Sequence, residues 1–323
     1  MTDTFQSKDI PIIDFSLFET NQSLCVQQIK LACENLGFFY LKNHGFNEKD
    51  VEETFHRIKL YFDQSHEEKL NYKINEHYFG YIDLRQEVLD FKTQKIGDHK
   101  ESFNFSKFDD NDDPLAQILP PLFNEKKSLF SSLSKKCHQL CLKILQTLAI
   151  ALEIPQSEGG KHWFEPKHSY DLKSGDCLRV IHYPPTVVNN DQEDIRAGSH
   201  SDYGSLTVLF QKDIGGLEIL PHNSTEWVPV PIISNCVVIN VADCLQFWSK
   251  GLFKSIKHRV VFRKDTRNLD RYSIAYFFHA GSDVVLDRIP SKLIPQEDDD
   301  NTKYITAGEY LQNKLNASYQ KVY

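Results

Sequence analysis

The sequence predicts an α+β protein with a mainly β core, a jelly roll braced by helices and preceded by a mixed, largely helical N-terminal region. Three observations predict it. Beyond Gly175 the chain breaks into about eight short β-patterned runs separated by turn residues. Directly before them stands one long amphipathic segment, 122–152. Ahead of that, residues 10–70 alternate short β-rich runs with helical periodicity.

Each element has a local reason. Ile10-Pro11-Ile12-Ile13-Asp14-Phe15 is a short β-rich run, after which Val26, Ile29, Cys33 and Leu36 recur at helical spacing until Gly37 supplies a stop. Phe38-Phe39-Tyr40-Leu41 reads as a buried strand closed by Asn43-His44-Gly45. A second helix begins near Asn47, with Val51, Phe55, Ile58 and Phe62 on one stripe, and Ser65-His66-Glu67-Glu68 carries the capping-box pattern that opens another turn. From 71 to 113 the periodicity fades. So long an irregular stretch in a compact protein predicts a lid or substrate loop, and its Tyr78, Phe79, Tyr81, Phe103 and Phe105 could line a pocket, although each taken singly reads first as packing against the core. Asp109-Asp110-Asn111-Asp112-Asp113 predicts a solvated acidic loop.

In 122–152 the stripe is Leu129, Leu133, Leu140, Ile144, Leu148 and Leu152, and Pro155 ends it. Strand-like runs follow at 177–183, 206–211, 216–220, 227–230, 236–241, 246–248, 255–262 and 271–279, a spacing suited to a jelly roll. Thr306-Ala307-Gly308-Glu309 is a further capping box, opening a C-terminal helix with Tyr310, Leu311 and Leu315. The expected organisation is an N-terminal region, 1–120, carrying the lid, and a region 121–323 carrying the support helix, the core and the C-terminal helix. Together they form one compact unit.

Composition narrows the function. With a net charge of -8, a pI near 5.9 and no basic block, a nucleic-acid partner is not expected. No apolar run is long enough to span a bilayer, and Met1-Thr2-Asp3-Thr4-Phe5 lacks the basic start of a signal peptide, so the expectation is a cytoplasmic protein with no membrane partner. Seven cysteines without a Cys-x-x-Cys pair read as reduced, buried side chains, including Cys137 and Cys141, which are four apart on one helix face.

The chemistry concentrates in Gly198-Ser199-His200-Ser201-Asp202-Tyr203-Gly204. On an extended strand, His200 and Asp202 leave from the same face and can grip one ion. The best third ligand is His258, in a second strand-like run with 55 residues (203–257) between it and Asp202. Two imidazoles and one carboxylate on one side of a metal leave its other positions open, as in non-haem Fe(II) oxygenases. Of the other histidines, His162, His168, His182, His222 and His279 have no carboxylate two residues away, His56, His66, His77, His99 and His138 lie in the helical or loop half, and His44 sits in a turn, so all read as structural or solvated. The last strand places Arg271, Ser273, Ala275 and Phe277 on one face, so that a guanidinium and a hydroxyl enter the same cavity, a pair suited to a carboxylate. The 177–183 run sends Arg179, Ile181 and Tyr183 to one face, adding a second cation and a phenol.

These residues resemble the Fe(II)/2-oxoglutarate-dependent dioxygenases of the isopenicillin N synthase-like family, and the likeness covers nearly the whole chain. It is carried by the 10–15 and 37–45 segments, Lys100-Glu101-Ser102-Phe103, Gly198 to Gly204, Asn240-Val241-Ala242-Asp243, Ser255-Ile256-Lys257-His258-Arg259-Val260 and Arg271-Tyr272-Ser273. The resemblance implies a double-stranded β-helix that holds iron through His200, Asp202 and His258, with Arg271 and Ser273 anchoring 2-oxoglutarate and Tyr183 supporting it. It further implies O₂ as co-reactant, a ferryl species, succinate and CO₂ as products, and ascorbate as a candidate reductant. Ile181 stands where many plant members carry Asn, which places the chain nearer the fungal and bacterial branch, and Ala242 stands where Gly is usual. Within that branch, Leu178-Arg179 with His182-Tyr183-Pro184, Arg196-Ala197-Gly198, the 271–277 run and Gly308-Glu309-Tyr310-Leu311 resemble fungal thymine 7-hydroxylases. A small-molecule substrate, planar or nucleobase-like, would then lie between Tyr203 and Phe277 with Arg179 nearby. Two alternatives stay open: an Fe(II) oxidase of the same scaffold that needs no 2-oxoglutarate, and a non-catalytic jelly-roll binding protein.

Overall fold

The computed structural model describes residues 10–90, 94–186, 195–295 and 303–319, so the reading of Met1 to Phe5 and part of the expected 71–113 loop lie outside it. Short polar caps set the helix starts. The chain enters through β1 (Ile12–Asp14), α1 (Leu17–Thr20) and α2 (Gln22–Asn35), where the Asn21 side chain accepts from Leu24 N–H. Gly37 follows with φ +68, and a Cβ there would lie 1.8 Å from the Lys254 carbonyl oxygen, so only glycine lets β2 (Phe38–Lys42) start so close to that segment. Next come α3 (Glu48–Phe62), capped by Asn47, and α4 (His66–Leu70), whose Ser65 and Glu68 form the expected capping box.

The 71–113 stretch is more regular than its periodicity predicts, since it contains β3 (Gly80–Ile82) and β4 (Glu101–Phe105). Every residue of β4 is buried, with Ser102 and Asn104 alternating with Phe103 and Phe105. Tyr81, Phe103 and Phe105 take the core-packing alternative, while Tyr78 and Phe79 line a cavity. The Phe103 and Phe105 rings sit 4.9 Å apart, with Phe123 at 5.2 and 5.0 Å and Phe130 4.7 Å from Phe105. Phe105→Ala is therefore expected to destabilise the fold by ~3–5 kcal/mol, read as a lowered urea midpoint with the m-value unchanged. The same cluster explains why the expected single helix 122–152 is two. Burial of Phe123 fixes α5 (Pro121–Asn124), and Lys126 breaks helical geometry before α6 (Lys127–Ala151). The Cys137 and Cys141 thiols lie inside α6's buried face, where burial raises their pKa.

After three short 3-10 turns come β5 (Cys177–Tyr183), β6 (Ala197–His200), β7 (Leu206–Gln211), β8 (Leu217–Leu220), β9 (Val228–Pro229), β10 (Cys236–Val241), α7 (Asp243–Trp248), β11 (Lys257–Val260), β12 (Arg271–Phe278) and α8 (Ala307–Tyr319). One correction falls here, because 246–248 is not a strand. The backbone N–H groups of Ala242, Asp243 and Cys244 donate to the carbonyls of Ser205, Asp202 and Gly204, which commits this segment to a helix start and leaves it no ladder partner. Ala242 has φ -110, so the glycine usual there is not needed.

The strands form an eight-stranded sheet, β1-β2-β10-β7-β12-β5-β4-β3, and a four-stranded one, β6-β11-β8-β9, as the jelly-roll reading expects. Alternation sorts the large sheet's two faces. Tyr272, Ile274, Tyr276 and Phe278 pack with α6 in the main core. Ile181 and Tyr183 instead join Leu217, Ile219 and Val260 of the small sheet in a second cluster between the sheets. Functional side chains on the inner face are thus held by an outer face that is packed solid.

Candidate metal centre

The site begins at the β6–β11 pair, where His200 and His258 are direct cross-strand partners. β6 ends at His200, so Asp202 is not on the same strand as expected. It lies in the following turn, whose Asp202 carbonyl accepts from Asp243 N–H at 2.8 Å, and that docking swings the carboxylate back toward the imidazoles. Asp202 Oδ1 is 3.9 Å from His200 Nε2 and 3.5 Å from His258 Nε2. One donor atom from each of the three residues lies within 4.8 Å of the others, and no other such group occurs among the described residues.

The remaining polar atoms of the triad are engaged in a way that leaves these donors turned inward. Thr207 Oγ1 and Asn240 Nδ2 donate to Asp202 Oδ2 at 2.6 and 2.8 Å. His200 Nδ1 is 2.7 Å from the Gly198 carbonyl, and His258 Nδ1 is 3.4 Å from that of Ile256. Burial and the neighbouring His258 lower the His200 pKa to about 4, so its ring is neutral at pH 7. Burial also works against charge on His258, but Asp202 outweighs it and raises that pKa. For Asp202, burial pushes upward, while the two histidines and Thr207 hold the carboxyl well below the usual range. A neutral imidazole, a second imidazole and an ionised carboxylate on one side fit a divalent first-row metal with open positions opposite.

The triad opens into a cavity of about 1050 Å³ lined by both sheets and α8. At its other end stand Arg271 and Ser273 on β12, with Tyr183 directly opposite Arg271 in the β5 register. The Arg271 guanidinium lies 4.7 Å over the Tyr183 ring, Nη1 donates to Ser273 Oγ at 3.4 Å and Nη2 to Gln211 Oε1 at 3.2 Å. Arg271 is 1% exposed, and among the described residues its Nε has no partner and no carboxylate lies within 4 Å of it. Burial lowers its pKa, and a buried cation without a counter-ion calls for an anionic ligand.

The wall between the two ends was less legible. Arg179 lines the cavity with its guanidinium 5.5 Å over the Phe277 ring, donating to Asn104 Oδ1 at 2.7 Å and pairing with Glu87 at 3.4 Å. Lys100 binds Asp98 at 2.6 Å and Glu87 at 3.1 Å, and Asp98 in turn accepts from Gly198 N–H, two residues before His200. Tyr203 and Phe277 both line the cavity, as does His279 among the histidines read as structural. Sequence reasoning missed Thr207, Gln211, Glu87 and Asp98. Asn240 and Lys100 lie inside motifs it had singled out, so those motifs were the available signal.

Although burial favours its neutral form, Arg179 and Lys100 lower the Glu87 carboxyl from 4.5 to about 2. A depressed carboxyl contributes stability that is present above its unfolded value and is lost as pH falls through its folded value. Between pH 4.5 and 2 the wild-type melting temperature is therefore expected to fall more steeply than that of Glu87→Gln. Parallel melting curves across that window would refute the ion network.

Residues 10–125 match the family described as non-haem dioxygenase in morphine synthesis N-terminal, and residues 174–280 match the 2OG-Fe(II) oxygenase superfamily. A UPF0676 protein of Schizosaccharomyces pombe is 35% identical over 97% of this chain and 94% of its own length. A 2-oxoglutarate-dependent dioxygenase of Didymella fabae is 30% identical over 99% of this chain and 98% of its own. Among solved structures, a full-length Neurospora crassa protein in complex with alpha-KG and thymine is similar with a TM-score of 0.80 and 28% identity, covering 96% of this chain and 97% of that one.

Proposed function

The chain belongs to the 2OG-Fe(II) oxygenase superfamily, and from that premise we propose that it hydroxylates a small, uncharged, planar molecule. It is a 2-oxoglutarate-dependent dioxygenase that works with Fe(II), 2-oxoglutarate and O₂. In our reading His200, Asp202 and His258 hold the iron, while Arg271, Ser273 and Tyr183 hold the distal carboxylate of 2-oxoglutarate. One observation carries it: a buried guanidinium with no carboxylate within 4 Å among the described residues shares one cavity with three converging metal donors.

Bound iron supplies, with O₂ and 2-oxoglutarate, the oxidising power that replaces a substrate C–H hydrogen by hydroxyl as the oxo acid leaves as succinate and CO₂. The chain's residues do the positioning. Arg271 and Ser273 fix one end of the oxo acid through charge-assisted and hydroxyl hydrogen bonds, and Tyr183 supports the guanidinium from below. Thr207 and Asn240 keep one Asp202 oxygen turned away, so the other faces the imidazoles.

The wall supports this substrate class. Glu87 and Asp98 carry two negative charges and Lys100 and Arg179 two positive ones, so this buried array is already neutral and a charged ligand would unbalance it. Arg179 beside Glu87 offers a donor and an acceptor, matching a ring with adjacent carbonyl and N–H groups, and Tyr203 and Phe277 offer its faces aromatic contact. The solved complex of the Neurospora crassa protein with thymine supports a ligand of this kind. The test is a thermal-shift screen with Mn(II) and 2-oxoglutarate, followed by succinate assays with Fe(II). Uncharged nucleobases are expected to raise the melting temperature and stimulate succinate release. Stimulation by cationic or anionic compounds alone would overturn the substrate class, and oxidation of a substrate without succinate would overturn the use of 2-oxoglutarate.

A further inference from the structure

One carboxylate outside the triad touches both segments that carry the metal donors and the helix over the cavity. Asp243, at the start of α7, is buried, and no cavity function accounts for its charge. Its Oδ1 accepts from Ser255 Oγ at 2.6 Å, and its Oδ2 accepts from Ser201 Oγ at 3.0 Å and from Lys314 Nζ at 2.7 Å. Ser201 is the residue between His200 and Asp202. Ser255 lies on the segment that leads into β11 and His258. Lys314 is on α8, whose Leu311, Gln312 and Leu315 line the cavity. The Asp243 N–H closes the set by donating to the Asp202 carbonyl.

Alternative roles for Asp243 fit less well. A helix-capping carboxylate at α7 would bond the N–H groups of its own first turn, but both Asp243 oxygens are taken by side chains of Ser255, Ser201 and Lys314, and α7 has no side-chain cap. A surface ion pair with Lys314 would contribute little and would have no reason to be buried among two serines. At the other end of α8 the anchoring is different in kind, through Ala307 N–H to the Val284 carbonyl and Gly308 N–H to that of Ser282. Along its length, Lys314 makes the one salt bridge from α8 to the rest of the molecule among the described residues. The Tyr310 ring adds a contact 5.1 Å from Phe247 on α7. Helix and metal loop thus meet at the same two oxygens.

We propose that Asp243 is a positioning residue that couples the seating of α8 over the cavity to the order of the metal centre, so that each strengthens the other. The inference rests on the reading of His200, Asp202 and His258 as metal ligands. With α8 seated, Lys314 completes the coordination of the Asp243 carboxylate and holds Ser201 and Ser255 at fixed separation. With α8 lifted, the buried carboxylate loses its counter-charge, and the two ligand-bearing segments lose their common tie. Coupling of this kind is reciprocal, because the metal must favour the seated helix by the factor by which the seated helix favours the metal.

The test uses the full chain with Mn(II) and 2-oxoglutarate without O₂, reading Mn(II) affinity and hydrogen exchange in 307–319. In the wild type, loading is expected to slow exchange in α8. Lys314→Met is expected to speed α8 exchange and to weaken Mn(II) binding by the factor by which loading slows exchange in the wild type. Asp243→Asn is expected to weaken Mn(II) binding ~10-fold or more and to abolish the response of α8. The Ser201→Ala/Ser255→Ala pair should weaken the metal while leaving α8 exchange in the metal-free protein unchanged. The proposal fails if loading does not alter α8 exchange, or if Lys314→Met frees the helix and keeps wild-type Mn(II) affinity, a result that remains readable even where Asp243→Asn does not fold. Absence of Mn(II) binding by the wild type would instead bring down the ligand assignment itself, and this proposal with it.

Discussion

Asp202→Ala is expected to lower Mn(II) affinity by more than ~100-fold, beyond the 10–100-fold that loss of an outer-shell partner costs, and to abolish succinate formation. The reason is electrostatic as well as geometric. Asp202 supplies the one anionic donor of the triad, and its Oδ1 is the atom toward which both Nε2 atoms point. Two imidazoles alone, one of them with its pKa near 4, offer no charge to a divalent ion. The change also strands the Thr207 hydroxyl and the Asn240 amide, whose bonds to Oδ2 are buried. Each orphaned group costs ~1–3 kcal/mol, so the metal-free variant should melt below the wild type. Asp202→Asn separates the effects, since it keeps the shape and removes the charge. Retention of Mn(II) affinity within about threefold in Asp202→Ala would disprove the ligand assignment.

Arg271→Met is expected to act in opposite directions on cosubstrate binding and on stability. Removing the guanidinium leaves the distal carboxylate of 2-oxoglutarate buried without its partner, a loss of ~2–5 kcal/mol, or roughly 30-fold to 5000-fold in affinity. The KM for 2-oxoglutarate should rise by that order while Mn(II) affinity stays near wild type. Yet without 2-oxoglutarate the cation itself is the liability, because it is 1% exposed with no carboxylate within 4 Å among the described residues. A methionine of similar length removes that uncompensated charge, so the ligand-free variant should melt at or above the wild type and lose the upward shift that 2-oxoglutarate gives. Arg271→Lys should recover little, since a point charge does not reproduce the two-pronged contact. An unchanged KM in Arg271→Met would place the cosubstrate elsewhere.

What could be seen in advance divides along physical lines. The inner faces of β5 and β12 were legible because alternate residues change character within one strand, and His200, Asp202 and His258 were legible because few other uses explain His-x-Asp beside a distant histidine strand. Asp202's position beyond the strand end was not, because it follows from carbonyl bonds to α7, 41 residues on. The same bonds misled the reading of Gln246 to Trp248, whose apolar, aromatic texture suits a strand until its N-terminal backbone is claimed by the loop. Thr207 and Asn240 look like ordinary polar residues within apolar runs, and only the fold brings both to one carboxylate oxygen. Asp98 reaches Gly198 across 100 residues, a partnership with no local trace. β4 escaped because only two apolar residues, Phe103 and Phe105, mark it, alternating with Ser102 and Asn104 among polar neighbours.

The strict alternation of β12 also governs how this enzyme can change over generations. Substitutions at Ala275 or Phe277 alter the cavity while Tyr272, Ile274 and Tyr276 hold the sheet to α6, so the cavity's shape can drift without loss of the fold. Loss of a single residue between Arg271 and Phe277 would do the reverse, turning a cation toward the core and tyrosines toward the oxidant. Lineages of this protein should therefore concentrate their replacements in this strand at Ala275 and Phe277 and be nearly devoid of insertions or deletions within it.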